Sequence, residues 1–110
     1  MRYYDKVIFN KIVNNATATS DPFPVEDMYG YCVQALWIGA LGSGSIKLQA
    51  SLDANTWADI CTSEVTIAGG GDQLWNVSDV LYKWLRVSVT SNTAADIVMG
   101  VRIYCKGYLP

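Results

Sequence analysis

The sequence predicts an all-β protein, an antiparallel jelly-roll β-sandwich of about eight strands, on three observations. Apolar and polar residues alternate along several segments, as they do in strands that bury one face. Turn-forming clusters of Gly, Asn, Asp, Ser and Pro separate these segments. No segment of useful length shows the period of an amphipathic helix. An immunoglobulin-like sandwich is the alternative, but its Cys…Trp…Cys spacing is missing, since Trp37 follows Cys32 closely.

The first half of the chain contains three predicted strands, over residues 6–13, 28–38 and 45–52. Residues 14–26 are predicted to form a loop outside the sheets, because Pro22 and Pro24 cannot donate hydrogen bonds to a central ladder. Both alternating faces of the second strand are largely apolar, since Leu36 and Ile38 lie on the face opposite to its aromatic residues. This pattern predicts a strand that is covered on both sides.

Five further strands are predicted, over residues 57–61, 64–67, 72–77, 81–90 and 96–108. The Gly-rich segment 39–44 is a turn and not a phosphate-binding loop, because the trailing Lys-Ser/Thr and the following helix are missing. Asp53 and Asn55 supply the next turn, and Leu52 shares the inward phase of the strand before it. The inward sets of three strands predict a core of Ile46, Leu48, Ala50, Leu85, Val87, Val89, Ile97, Met99, Val101 and Ile103, with Trp37, Trp57 and Trp75 as further core residues.

Composition limits the partners that the chain could have. The 110 residues are predicted to form a single jelly-roll domain. Apolar residues make up 51% and charged residues only 16%, which favours either burial against a partner or a surface rich in Ser, Thr and Asn. A net charge of −2 gives no basic footprint for nucleic acid, and no apolar run approaches the length of a membrane span. We therefore expect neither nucleic acid nor membrane as a partner.

The chemistry-bearing residues do not form a catalytic pattern. The chain has no His, which removes the usual base of a Ser or Cys triad and the commonest zinc ligand. Most acidic residues lie in predicted turns, and calcium at Asp53, Asn55 and Asp59 is a minor alternative whose spacing departs from an EF-hand loop. We expect no enzyme activity, catalytic residue, metal site or cofactor.

The three cysteines, Cys32, Cys61 and Cys105, are widely spaced and lie in predicted strands. Free buried thiols are the main expectation and one disulfide is the alternative. Free thiols fit folding in a reducing cytosol. The N-terminus also lacks the apolar segment of a signal peptide.

Aromatic residues outside the predicted core are candidates for an interface. Trp84 and Tyr104 lie on outward faces, where they could contact a protein or stack on a sugar. Residues 1–5 form a candidate interface arm or, alternatively, part of an ordinary edge strand. The complete set of interface candidates is Tyr3, Tyr4, Phe9, Trp84, Tyr104 and Tyr108.

Several motifs resemble those of known jelly rolls. Residues 51–60 and 82–89 are similar to a discoidin-like pattern, with Ala54 where that pattern has Gly. Short jelly-roll proteins of tailed bacteriophages are a closer likeness, through Tyr-Gly-Tyr-Cys-Val-Gln-Ala-Leu-Trp at 29–37, Leu-Gln-Ala-Ser at 48–51 and Leu-Trp-Asn-Val-Ser-Asp-Val-Leu-Tyr at 74–82. In length and class, the chain also resembles phage capsid decoration, or staple, proteins of the epsilon-fifteen type.

This resemblance implies a location, a role and two partners. It implies a jelly roll on the outer capsid surface of the virion, which binds the major capsid protein and stabilises its lattice. It also implies a homo-oligomer, with a dimer favoured, and it supplies no catalytic residues. The alternative function is a carbohydrate-binding β-sandwich module that attaches the virion to a cell surface, with Trp84 as its exposed aromatic platform.

Overall fold

A computed structural model of the chain describes residues 2–26, 28–38, 43–68, 70–78, 80–92 and 96–107. These residues form ten strands: β1 (Arg2–Val13), β2 (Thr17–Thr19), β3 (Phe23–Pro24), β4 (Met28–Ile38), β5 (Ser43–Ser51), β6 (Ala58–Asp59), β7 (Val65–Ala68), β8 (Gly71–Ser78), β9 (Trp84–Ser91) and β10 (Ile97–Gly107). Within these ranges there is no helix that is long and apolar enough to cross a membrane.

The strands pair antiparallel in two sheets. Sheet A has the order β1-β10-β4-β8, and sheet B has the order β2-β9-β5-β6, with β3 also paired to β9 and β7 to β5. The chain crosses between the sheets, so the first and last long strands become neighbours in sheet A. This interleaved order is that of a jelly roll, which confirms the predicted fold class.

The core lies between the two sheets and follows the predicted alternation. The three inward sets from 45–52, 81–90 and 96–108 are buried, except that Ala50 is only half-buried. Leu52, predicted to point inward, is 66% exposed because β5 ends at Ser51 and the chain turns there. Trp37 and Trp75 are buried as predicted, whereas Trp57 is half-buried under the Arg86 side chain.

The segment 14–26 was wrongly predicted to lie outside the sheets. Its strands β2 and β3 pair with β9, and Phe23 lies opposite Leu85 while Pro24 lies opposite Trp84. Proline is tolerated at this position because β3 lies at the edge of sheet B, where one side of the strand needs no ladder partner. The segment thereby buries the Phe23 and Val25 side chains.

The three cysteines are free, but only Cys105 is fully buried. Burial raises the pKa of the Cys105 thiol to about 11. Cys32 is half-buried, and Cys61 is exposed, which differs from the expectation of a buried strand position. The predicted strand 57–61 shrinks to β6 because a turn follows, in which Ser63 N donates to Ile60 O at 3.2 Å and Thr62 has a φ of 61°.

Two strand glycines provide a matched stability test. A Cβ added at Gly44 would lie 1.8 Å from the Thr90 carbonyl oxygen, whereas one added at Gly100 would meet nothing within 4 Å. We expect Gly44→Ala to lower the free energy of unfolding by about 1–3 kcal/mol, because the β5–β9 pair must separate. Gly100→Ala should leave it unchanged or raise it by up to about 1 kcal/mol. Urea denaturation of dilute protein measures both, and equal losses would contradict the close approach of β9 to Gly44.

Candidate interaction surface

The outward face of sheet A is apolar. Seven of the nine large hydrophobic residues that are exposed within the described ranges lie on this face, with exposures of 43–68%. They are Val7, Ile12, Leu36, Ile38, Leu74, Val98 and Tyr104, and we call them the sheet A patch. The prediction that strand 28–38 is covered on both sides is therefore wrong for the chain alone, because only its inner face is buried.

Strand register aligns the outward residues of sheet A in rows that cross the sheet from β1 towards β8. The rows are Ile12–Val98–Ile38, Asn10–Gly100–Leu36–Asp72, Val7–Arg102–Gln34–Leu74 and Asp5–Tyr104–Cys32–Asn76. Aliphatic side chains are concentrated in the first three rows, and polar side chains accompany them from the second row onward. The patch is therefore a continuous feature of all four strands.

A depression lies at the middle of the patch. It has a volume of about 340 Å³ and is lined by residues that include Val7, Leu36, Gly100 and Arg102. The depression exists because Gly100 leaves its row without a side chain on β10, and the space above this glycine is open. The protruding Leu36 side chain stands directly beside it on β4.

A bidentate ion pair borders the depression. Arg102 Nε donates to Asp5 Oδ1 at 2.6 Å, and a second guanidinium nitrogen lies 3.3 Å from Asp5 Oδ2. Both side chains are at least half exposed, so the pair contributes little to stability. Its effect is to place one charge of each sign beside the aliphatic residues.

The outward face of sheet B has the opposite character. Gln49 and Lys47 both donate to the Asp59 carboxylate at 2.9 Å, and these hydrogen bonds, with that from Gln49 first, lower the pKa of Asp59. Arg86 Nε donates to Gln49 Oε1 at 2.7 Å, and its guanidinium lies 4.4 Å from the centre of the Trp57 ring. The polar network thus occupies one face of this aromatic ring, which limits its use as a sugar platform.

The Asp53 carboxylate closes the turn after β5. Its Oδ1 accepts hydrogen bonds from the backbone amides of Thr56 at 2.8 Å and Asn55 at 2.9 Å, and from Ser51 Oγ at 2.9 Å. These hydrogen bonds, with the Thr56 amide first, lower the pKa of Asp53. Ala54 has a φ of 63°, a left-handed backbone conformation that Gly adopts with less strain.

The acidic residues weighed as calcium ligands take part in different networks. Asp53 binds its own turn, whereas Asp59 binds side chains of β5. Across the ranges that the structure describes, no three His, Cys, Asp or Glu side chains form a group that could hold a metal ion.

The predicted interface residues are spread over several environments. Tyr104 is exposed on the sheet A patch, and Trp84 is half-buried in sheet B. Phe9 was wrongly placed at an interface: it is 3% exposed, because the register shift between Val7 and Phe9 turns its ring into the core.

The predicted interface arm has the backbone of an edge strand. Arg2 to Asp5 continue β1 and pair with Tyr104 to Gly107 of β10. The side chains of Tyr3 and Tyr4, and all of Tyr108, lie outside the described parts of the structure.

Sequence reasoning missed the aliphatic members of the patch. The available signal was the apolar character of both faces of strand 28–38, which was interpreted as burial within the chain. Its outward residues Leu36 and Ile38 instead belong to a surface that the chain leaves open.

Comparison with known proteins shows the fold. No family model and no curated protein matches the chain. Among solved structures, it is similar to the PBSX exported protein XepA, with 11% identity and a TM-score of 0.69, over 97% of this chain but only 38% of XepA. The SPBc2 prophage-derived protein YomS has 13% identity and a TM-score of 0.63, over 93% of both chains. A family 29 carbohydrate-binding module from Piromyces equi has 14% identity and a TM-score of 0.51, over 97% of this chain and 93% of the module. At these identities the likenesses show a β-sandwich fold that phage-derived proteins and carbohydrate-binding modules share.

Proposed function

We propose that this chain is a structural protein of a bacteriophage virion, a decoration protein that binds the outer surface of the head and stabilises the major capsid protein lattice. The sheet A patch is the observation that carries the proposal. Aliphatic residues of all four strands form one exposed surface, and such surfaces on a folded domain typically mark an interface. The motif resemblance to phage jelly rolls and the fold shared with XepA and YomS support the phage context.

The proposed mechanism is mechanical and needs no catalytic group. A protein that binds only the assembled lattice stabilises it by mass action, by about 2.7 kcal/mol per site at a free concentration of one hundred times the dissociation constant. The same term is added at every occupied site of the head, so a modest affinity per copy is sufficient. The absence of His from the sequence is consistent with this non-enzymatic role.

Thermal release of DNA tests the proposed function. Heads assembled without the protein should release DNA at a lower temperature than decorated heads, because the bare lattice lacks the binding free energy of each copy. Adding the purified protein to bare heads should restore the higher release temperature. Release that is the same with and without bound protein would contradict the stabilising role.

A carbohydrate-binding module is the second candidate. The observations that favour it are the fold shared with the family 29 module and the half-buried Trp84 on the same face as Arg86. If it is correct, the purified protein binds a cell-surface glycan, and Trp84→Ala abolishes that binding while Leu81→Ala does not. The platform that this candidate needs is an exposed aromatic ring, and Trp84 is half-buried, which makes this candidate the weaker of the two.

A further inference from the structure

We infer that a second copy of this chain covers the sheet A patch, packed face to face about a two-fold axis that runs along the strands between β10 and β4. The inference takes the interface role of the patch from the proposed function and adds the occupant and its register. Its basis is the order of side chains in the rows of sheet A.

The symmetry of such a dimer fixes which residues meet. In a two-fold interface the same surface serves both copies, so a contact from one residue to another occurs twice. An axis along the strands keeps each row in place while it exchanges β10 with β4 and β1 with β8. Each row of one copy therefore faces the same row of the other copy, read in the reverse order, and the side chains that meet can be compared.

The central row places a protrusion over a depression. Gly100 and Leu36 are direct neighbours on β10 and β4. After the exchange, Leu36 of each copy lies above Gly100 of the other, where the space for a side chain is open. This contact buries two Leu side chains that are exposed in the single chain.

The adjacent rows also match. Val98 meets Ile38 of the second copy, so two exposed aliphatic residues bury each other. In the row on the other side, Arg102, held by Asp5, meets the polar Gln34.

The outer strands match in the same way. Val7 on β1 meets the exposed Leu74 on β8 of the second copy. Asn10 meets Asp72, which pairs an amide donor with a carboxylate acceptor. Apolar residues therefore meet apolar residues, and polar residues meet polar residues, on both sides of the central strands.

The alternative two-fold axis, perpendicular to the strands through the central row, gives a poorer match. It would place Val98 over Arg102 and Ile38 over Gln34, which buries a guanidinium and an amide against aliphatic side chains. The row order thus favours the axis along the strands.

The size of the surface indicates how tight the dimer is. Four strands at about 4.8 Å spacing and about six residues at 3.4 Å rise give a plane of roughly 400 Å² on each copy. Two copies would bury roughly 800 Å² in total, which is below the size of stable specific interfaces and within the range of weak, transient association. We therefore expect a weak, reversible dimer, which is completed where copies are crowded together.

Complementary charge variants test the occupant and the register together. Val98→Glu and Ile38→Lys should each weaken the dimer at least about tenfold, as measured by sedimentation velocity, because each buries an unpaired charge. An equal mixture of the two variants should dimerise again, since the new carboxylate meets the new ammonium across the axis. Leu81→Lys, a substitution outside the patch, should dimerise by itself as the wild-type protein does, and its addition should not bring Val98→Glu back into dimers as Ile38→Lys does.

A glycine variant keeps the test independent of folding defects. Gly100→Val adds a side chain that meets nothing in its own chain at the Cβ position, and it should keep the melting temperature of the monomer. It should nevertheless weaken the dimer at least about tenfold, because the second copy's Leu36 no longer fits. Two results would overturn the proposed register. One is unchanged dimerisation of Gly100→Val, and the other is a mixture of Val98→Glu and Ile38→Lys that stays monomeric although the wild-type protein dimerises.

Binding to bare heads separates this inference from the proposed function. A wild-type protein that stays monomeric at all concentrations, yet binds bare heads through the patch, would overturn the inference while the proposed function stands. A wild-type dimer with the expected mixing behaviour, but without affinity for heads, would support the inference and contradict the proposed function.

Discussion

Leu85→Ala is expected to lower the free energy of unfolding by about 2–5 kcal/mol. Leu85 is fully buried on β9, where it lies between Phe23 of β3 and Ala50 of β5. Removing its side chain leaves a cavity between the two sheets that the surrounding strands cannot fill. A domain of this size has about 5–15 kcal/mol of stability in total, so the loss would be a large fraction of it.

The control for this substitution is Leu81→Ala, four residues earlier in the chain. Leu81 is 89% exposed and should change the free energy of unfolding by no more than about 0.5 kcal/mol. Urea denaturation of both variants at the same dilute concentration measures the difference. Losses of similar size would show that the inward phase of β9 is wrong.

Leu36→Asp is expected to weaken binding to bare heads about a hundredfold, which corresponds to about 2.7 kcal/mol. The substitution places a carboxylate at the centre of the sheet A patch, where a second copy bound to the same head would remove it from water without a partner, so paired binding to the head is lost. Folding should be preserved, because Leu36 is exposed in the single chain. Co-sedimentation of the variant with heads measures the affinity.

Leu52→Asp is the matched control for binding. Leu52 is also an exposed Leu, but it lies in the turn after β5 and outside the patch. It should bind heads as the wild-type protein does. Equal affinity of the Leu36 and Leu52 variants would show that binding to heads does not depend on the patch.

The parts of the fold that sequence predicted well are those in which one physical signal dominates. The 28–38 strand was predicted with the bounds of β4, because an uninterrupted run of mostly apolar residues lies there between two segments rich in turn-forming residues. The inward phase of β9 and β10 was correct for the same reason: burial of one face forces every second residue to be apolar.

The errors arose where tertiary contacts override local signals. The missing backbone N–H of Pro24 led to the prediction of a loop, yet at the edge of a sheet one side of the strand needs no hydrogen-bond donor. Phe9 turns inward because of a bulge, which alternation alone cannot reveal. Cys61 is exposed because a left-handed Thr62 ends the strand early.

The candidate surface was predictable only in part. Sequence showed that both faces of the 28–38 strand are apolar, but not whether the chain itself or another molecule covers the second face. The answer depends on which strands lie in sheet A and on the register that aligns Leu36 with Gly100. These are long-range features that no local pattern contains.

Electron cryo-microscopy of bare heads that have been mixed with this chain tests the proposed decoration role most directly. We expect jelly-roll density on the outside of the head, with the outward face of sheet A, including Leu36, Ile38 and Val98, buried in an interface. Absence of the chain from the particle, or a bound chain whose sheet A patch faces solvent, would contradict that role.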